Sequence, residues 1–186
     1  MEFLEYFLES KIDNTKHTCH KYIEYYYDGV FSNIDKEKQY NILEIGVRDG
    51  SSISMWKGWF TNSKIYGIDV TPNSVPYFFF IQGNAYLEEA INLFENDFFD
   101  FIIDDGPHTV ESQQYSINNW LKKIKPGGKL IIEDIGCADD IPNPPLSSDW
   151  VLEQLVNVIP SNTGYEIFDL REKGQYDSII LEITKK

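Results

Sequence analysis

Two short apolar stretches, each running directly into a pair of acids, constrain the fold of this chain more than any other feature. They are Asp100-Phe-Ile-Ile-Asp-Asp-Gly-Pro-His108 and Lys129-Leu-Ile-Ile-Glu-Asp134. Apolar runs of this length, bounded by turn signals, suit central strands of a parallel sheet covered on both faces. In open α/β sheets the ligand crevice lies outside the carboxyl ends of the strands. Two such strands side by side would bring Asp104, Asp105, Glu133 and Asp134 to one edge, with His108 beside them. Carboxylates this crowded repel one another unless a cation or a proton compensates. The pattern points to a metal.

The rest of the chain reads as an alternation of strands and helices, which makes the fold α/β with right-handed crossovers. Residues 1–9 and about 17–30 read as helices, with a polar turn at 11–16 and a charged connector at 32–39. The second helix carries a dense patch of Tyr22, Tyr25, Tyr26 and Tyr27, expected to pack against the main domain or a partner subunit. Strands follow at 41–46, 64–69 and within 75–82, the last poorly bounded because of Pro76. Helices are expected at 86–96, at 109–123, and from Trp150 to about Ile159 with Asp149 as cap. Residues 136–149, with Pro142, Pro144 and Pro145, read as a loop leaving the acid edge, placed to act as a lid. Two alternating segments, 165–170 and 178–183, read as a C-terminal antiparallel hairpin. The organisation is an N-terminal helical segment, 1–39, followed by one domain, 40–186.

The first strand ends in Glu44-Ile-Gly-Val-Arg-Asp-Gly50, a turn that opens a helix with Ser51 or Ser52 as N-cap. Its glycines allow close approach of backbone to a ligand. The spacing is not the G-x-G-x-x-G of a dinucleotide site, which disfavours a pyrophosphate and a nicotinamide oxidoreductase. Asp69 ends the second strand, placed to accept hydrogen bonds from ribose hydroxyls, and Gln82-Gly-Asn-Ala85 ends the third, where a polar side chain would meet an adenine. Together they describe a nucleoside site without phosphates.

At this point the sequence resembles the class I S-adenosylmethionine-dependent methyltransferases. Leu43 to Gly50 is similar to their first motif, Ile65 to Asp69 to their second, and Leu121 to Leu130, with Lys125-Pro-Gly-Gly128, to the stretch before their fifth strand. The resemblance, over about residues 40–186, implies a Rossmann-like sheet of seven strands, mostly parallel with a C-terminal antiparallel hairpin. It implies cofactor contacts from Glu44, Gly46, Arg48, Gly50, Ser51, Asp69, Asn84 and Asp104. A narrower resemblance, carried by Ile102-Ile-Asp-Asp-Gly-Pro-His108 and Ile131-Ile-Glu-Asp134, is to the metal-dependent sugar O-methyltransferases of the mycinamicin and macrocin type. It implies Mg2+ held by Asp105, Glu133 and Asp134, with His108 as general base. Met55-Trp-Lys57 fits that group, and Asp13 to Thr18 resembles a shortened form of its Asp-Lys-Gly-Thr-x-His segment. Pro107 stands where the group has serine. His17 and His20 are expected to be helix-surface or local hydrogen-bonding residues.

The chemistry follows from the residues. A sugar hydroxyl is a poor nucleophile because its proton is held tightly. A hard cation on oxygen ligands with open positions chelates two neighbouring hydroxyls and lowers their pKa, and a neutral histidine then removes the proton. The expected activity is Mg2+-dependent O-methylation of a sugar or glycoside. Another small vicinal diol or a catechol, or a non-catalytic cofactor-binding subunit, are the alternatives. A formal net charge of −14 argues against nucleic acid and anionic membranes as partners. Cys19 and Cys137 have no C-x-x-C partner, and the N-terminus lacks a signal-peptide pattern. The expectation is a protein of the reducing cytoplasm acting on a small-molecule or glycan acceptor, with self-association through the aromatic helix.

Overall fold

A computed structural model describes residues 1–76, 78–136 and 147–186. Its frame is a seven-stranded sheet in the order β3-β2-β1-β4-β5-β7-β6. The strands are β1 (Asn41–Ile45), β2 (Lys64–Asp69), β3 (Phe79–Gln82), β4 (Phe99–Asp104), β5 (Ile124–Ile132), β6 (Thr163–Asp169) and β7 (Ile179–Lys185). The first five are parallel, and β7 runs antiparallel between β5 and β6, as the mostly parallel sheet with a C-terminal hairpin requires. Strand order reverses between β1 and β4, so the crevice above their carboxyl ends is the fold's switch point.

Alternation along the strands sorts the core into two layers. Ile42, Ile65, Ile103, Ile131 and Ile180 face one side, where α1 (Phe3–Ser10), a π-helical turn (Ile23–Tyr27) leading into α3 (Asp28–Phe31), and α4 (Ser51–Trp59) pack on them. Leu43, Ile68, Ile102, Leu130, Ile132 and Leu181 face the other, against α6 (Val110–Asn119) and α7 (Ser148–Val156). Both faces are covered, which is why the central strands read as unbroken apolar runs. The N-terminal segment is part of this core. Phe3, Phe31, Tyr27 and Trp56 pack ring against ring, all fully buried.

Several local expectations are corrected. The polar stretch before residue 17 contains α2 (Thr15–Thr18), started by Asn14, whose side chain accepts from the Lys16 amide. No serine caps α4; it starts behind Gly50 at φ 80°, and the Ser51 amide is taken by Asp49. The helix expected at 86–96 shrinks to α5 (Glu88–Ile91), because Leu87 is extended and half exposed. The third strand begins only at Phe79, beyond Pro76. The cap of α7 is Ser147; Asp149 pairs instead with Arg171 at 3.0 Å. The proposed lid falls largely on 137–146, with Cys137, and lies outside the described residues. Tyr22, Tyr26 and Tyr27 are buried within this chain and Tyr25 alone of the four is exposed, so the patch expected for self-association is mostly used up internally. Among the described residues no helix is long and apolar enough to cross a membrane.

Candidate active site

The two-residue period of the strands decides which acids meet. Glu44, Asp105 and Glu133 have the parity of Ile42, Ile103 and Ile131, so all three turn toward the N-terminal segment. There they meet Lys16. Its buried ammonium donates to Asp105 at 2.6 Å and to Glu133, and lies 3.5 Å from Glu44. Burial alone would lower the Lys16 pKa, but Asp105, Glu133 and Glu44 together outweigh it and hold the group well above the usual lysine value. Burial pushes the Glu44 carboxyl up to about 7 despite Lys16 and a 2.7 Å hydrogen bond from Ser52.

Three tyrosines from the same segment reach the acids. Tyr27 donates to Glu133, Tyr22 to Asp134 at 2.6 Å, and Tyr26 to Glu182 at 2.7 Å. Burial raises all three phenol pKa values, so each stays a donor at neutral pH. His20 stacks on Tyr22 with its Nδ1 3.2 Å from Asp134. Burial lowers its pKa against the pull of Asp177 and Asp105, which favours the neutral imidazole.

Asp104, one residue before Asp105, points to the opposite face. It is buried against α6 and accepts from Ser116, from Tyr86 at 2.6 Å and from the Gly106 amide. It is a structural anchor, away from the cleft. Asp134 lies beyond the end of β5 at φ 54° and His108 beyond the Gly-Pro turn at φ 54°. Two non-glycine residues in the left-handed region at one site mark backbone held under strain. Their side chains converge: His108 Nε2 is 3.7 Å from Asp105 and 3.8 Å from Asp134, and its buried Nδ1 has no hydrogen-bond partner among the described residues.

One ammonium against Glu44, Asp105, Glu133 and Asp134 leaves the cluster short of positive charge. Burial pushes the Glu133 and Asp134 carboxyls well up, the response of acids that lack a counter-charge. Donor atoms of Asp105, His108 and Asp134 lie within 4.8 Å of one another, a set that fits one divalent cation. Glu133, expected as a ligand, stands behind that set with one oxygen on Tyr27 and the other on Lys16.

A cleft of about 950 Å³ runs from these groups across the ends of β1, β2 and β3. Of the residues expected as cofactor contacts, Gly46, Arg48, Ser51, Asp69 and Asn84 line it. Glu44, Gly50 and Asp104 do not: the first and last are buried beneath the wall, and Gly50 packs against Val75. Gly46, at φ 82°, cannot be replaced, because a Cβ there would lie 1.9 Å from the Asp105 carbonyl oxygen. Asp69 accepts from the Val47 and Arg48 amides on one oxygen and from Thr71 on the other. Partial burial would raise its pKa, but the hydrogen bonds from Thr71, Arg48 and Val47 win and lower it. It holds the first turn in shape through the Val47 and Arg48 amides.

With this geometry in view, comparison with known proteins becomes informative. No family model matches the chain. It is 31% identical over 125 residues to mycinamicin VI 2''-O-methyltransferase of Micromonospora griseorubida, covering 61% of this chain and 31% of that protein. It is 29% identical over 125 residues to demethylmacrocin O-methyltransferase of Streptomyces fradiae, with the same coverage of 61% and 31%. The MycE methyltransferase from the mycinamycin biosynthetic pathway, solved in complex with Mg, SAH and mycinamycin VI, superposes with a TM-score of 0.72 at 23% identity over all of this chain and 53% of that one. The chain has the class I methyltransferase fold and resembles the mycinamicin- and macrocin-type O-methyltransferases. The matched region spans about a third of the length of these curated relatives.

Reading the sequence found the acids and missed what surrounds them. Lys16, His20, Tyr22, Tyr27 and Asp177 were not assigned to the site. A partial signal was present: Lys16 and His20 are four apart, and so are Tyr22 and Tyr26, although the positive φ of Lys21 separates the two pairs.

Proposed function

We propose that this chain is a Mg2+-dependent O-methyltransferase that moves the methyl group of S-adenosylmethionine to a hydroxyl of a sugar or glycoside. The observation that carries the reading is the charge-deficient acid cluster of Asp105 and Asp134 with His108, at one end of a cleft whose other end is lined by Gly46, Arg48, Asp69 and Asn84. The similarity to named sugar O-methyltransferases supports it.

In this reading Asp105 and Asp134 hold the cation, and Glu133 adds charge from behind, fixed by Lys16 and Tyr27. A divalent cation held there would supply Lewis acidity toward an acceptor hydroxyl, and S-adenosylmethionine would supply an activated methyl group. His108 Nε2, between Asp105 and Asp134, takes the hydroxyl proton. Gly46, Arg48, Ser51, Asp69 and Asn84 line the far side of the same cleft, where they would bind and orient the cofactor.

The test is isothermal titration of S-adenosylhomocysteine, with and without Mg2+, on wild type and Asp105→Asn, followed by methyl transfer to a panel of glycosides and catechols. Asp105→Asn should bind the cofactor product normally, lose the metal heat and lose at least about a hundredfold in rate. Full activity in EDTA, or in Asp105→Asn, overturns the reading. Transfer to catechols alone would keep the metal chemistry and replace the acceptor class.

A further inference from the structure

The cleft has a third wall that the reaction described above does not use. It is the turn joining β6 to β7, which places Gln175 and Asp177 opposite the cofactor side. Asp177 is 3% exposed, lines the cleft, and its Oδ1 is buried without a hydrogen-bond partner among the described residues. A buried carboxylate oxygen without a donor costs free energy that a ligand's hydroxyl can relieve. The same histidine nitrogen that lies 3.2 Å from Asp134 lies 3.7 Å from this oxygen. A polar track therefore runs from the proposed cation acids through His20 to Asp177, within the span of one small ring.

The turn is also held rigidly. The Gln175 amide donates to Ser178 Oγ at 2.7 Å, and Ser178 Oγ is 3.1 Å from His20 Nδ1. Ser148 donates to the Tyr176 carbonyl at 3.1 Å. A Cβ on Gly174 would lie 2.7 Å from the His20 carbonyl oxygen, so the turn seats directly on the N-terminal segment. An acceptor held this way is pre-organised, which is what a specificity contact needs.

We propose that Asp177, with His20 beside it, is the acceptor-binding carboxylate. It accepts a hydrogen bond from a hydroxyl of the sugar other than those at the cation. This deepens the proposed function and rests on it. The contact selects polyhydroxylated acceptors over flat catechols, whose two hydroxyls are both used at the cation.

The test is saturation-transfer NMR of methyl α-L-rhamnopyranoside, a rhamnoside because one relative is a rhamnosyl-tetracenomycin O-methyltransferase of Streptomyces olivaceus. The protein carries Mg2+ and S-adenosylhomocysteine. Asp177→Asn should keep its affinity for S-adenosylhomocysteine and bind the glycoside roughly ten- to a hundredfold more weakly, the range for a hydrogen bond to a charged group. One monodeoxy analogue of the glycoside should show a similar loss on wild type and no further loss on Asp177→Asn, the signature of a direct pair. If Asp177→Asn fails to retain S-adenosylhomocysteine, Asp177→Ser is read in its place. Equal glycoside affinity in wild type and variant overturns the proposal. So does a wild-type protein that holds S-adenosylhomocysteine and Mg2+ but binds no glycoside. A wild type that binds no S-adenosylhomocysteine defeats the methyltransferase reading itself, and this inference with it.

Discussion

The two ends of the cleft are built by different means. The cofactor wall is made of turns close in sequence, and its central acid, Asp69, is already satisfied by the Val47, Arg48 and Thr71 amides and the Thr71 hydroxyl. The acid end is made of side chains from segments far apart, and its carboxylates, Glu44 and Glu133 buried and Asp105 and Asp134 partly so, share one ammonium. The first is arranged to receive a ligand at little cost to the protein. The second carries an electrostatic debt that a cation would settle, so binding and stability should be coupled there and nearly separate at the cofactor wall.

This contrast can be broken by experiment. The largest effect belongs to Lys16→Met, which leaves buried Glu133 and partly exposed Asp105 without their ammonium. Urea unfolding of the metal-free protein should show a loss of about 3–5 kcal/mol, partly restored by Mg2+. A loss below that of Tyr27→Phe would mean that Lys16 is not the principal counter-charge.

Next is pH. Glu44 is raised to about 7 in the folded chain, from an ordinary carboxylate value unfolded. A raised folded pKa means its favourable contribution is complete below the unfolded value and is lost as pH rises through about 7. The metal-free protein should therefore lose on the order of 3 kcal/mol between about pH 4.5 and 8 from this group. The loss should shrink in Glu44→Gln, as read from denaturant midpoints across that range. A wild type and variant with parallel profiles would remove Glu44 from the account.

Tyr27→Phe strips one donor from buried Glu133 and should cost about 1–3 kcal/mol in the same unfolding experiment. The smallest effect tests the other end. Asp69→Asn should weaken S-adenosylhomocysteine roughly tenfold by calorimetry and cost about 1–2 kcal/mol through the charged hydrogen bonds it loses, a cost that Mg2+ does not restore. Restoration by Mg2+ there would erase the distinction between the two ends.

The same contrast explains what could be read in advance. The sheet was legible because β1, β4 and β5 are apolar runs covered on both faces, and the hairpin because its strands alternate. Asp105 and Asp134 were legible because strand ends project local sequence to one edge. The opposite facing of Asp104 and Asp105 was also available from strand parity. Lys16, His20, Tyr22 and Tyr27 were not assigned because their roles exist only across separations of about a hundred residues, and locally they read as a polar turn and an aromatic helix surface. The short α5 and the serine cap of α7 were misread because a single extended residue, Leu87, and a competing partner, Arg171, decide those ends.

The pairing of Lys16 with Glu133 spans 117 residues. At about 5–20 residues synthesised per second, the lysine leaves the ribosome roughly 6–23 s before its partner. Over that interval Lys16 can meet Glu44 and then Asp105, but not Glu133, while β2, β3 and β4 are still being delivered. The amino-terminal arm can therefore complete its ionic contacts only once β5 has emerged. A product stalled before that point would leave charge and aromatic surface uncovered at this end of the sheet.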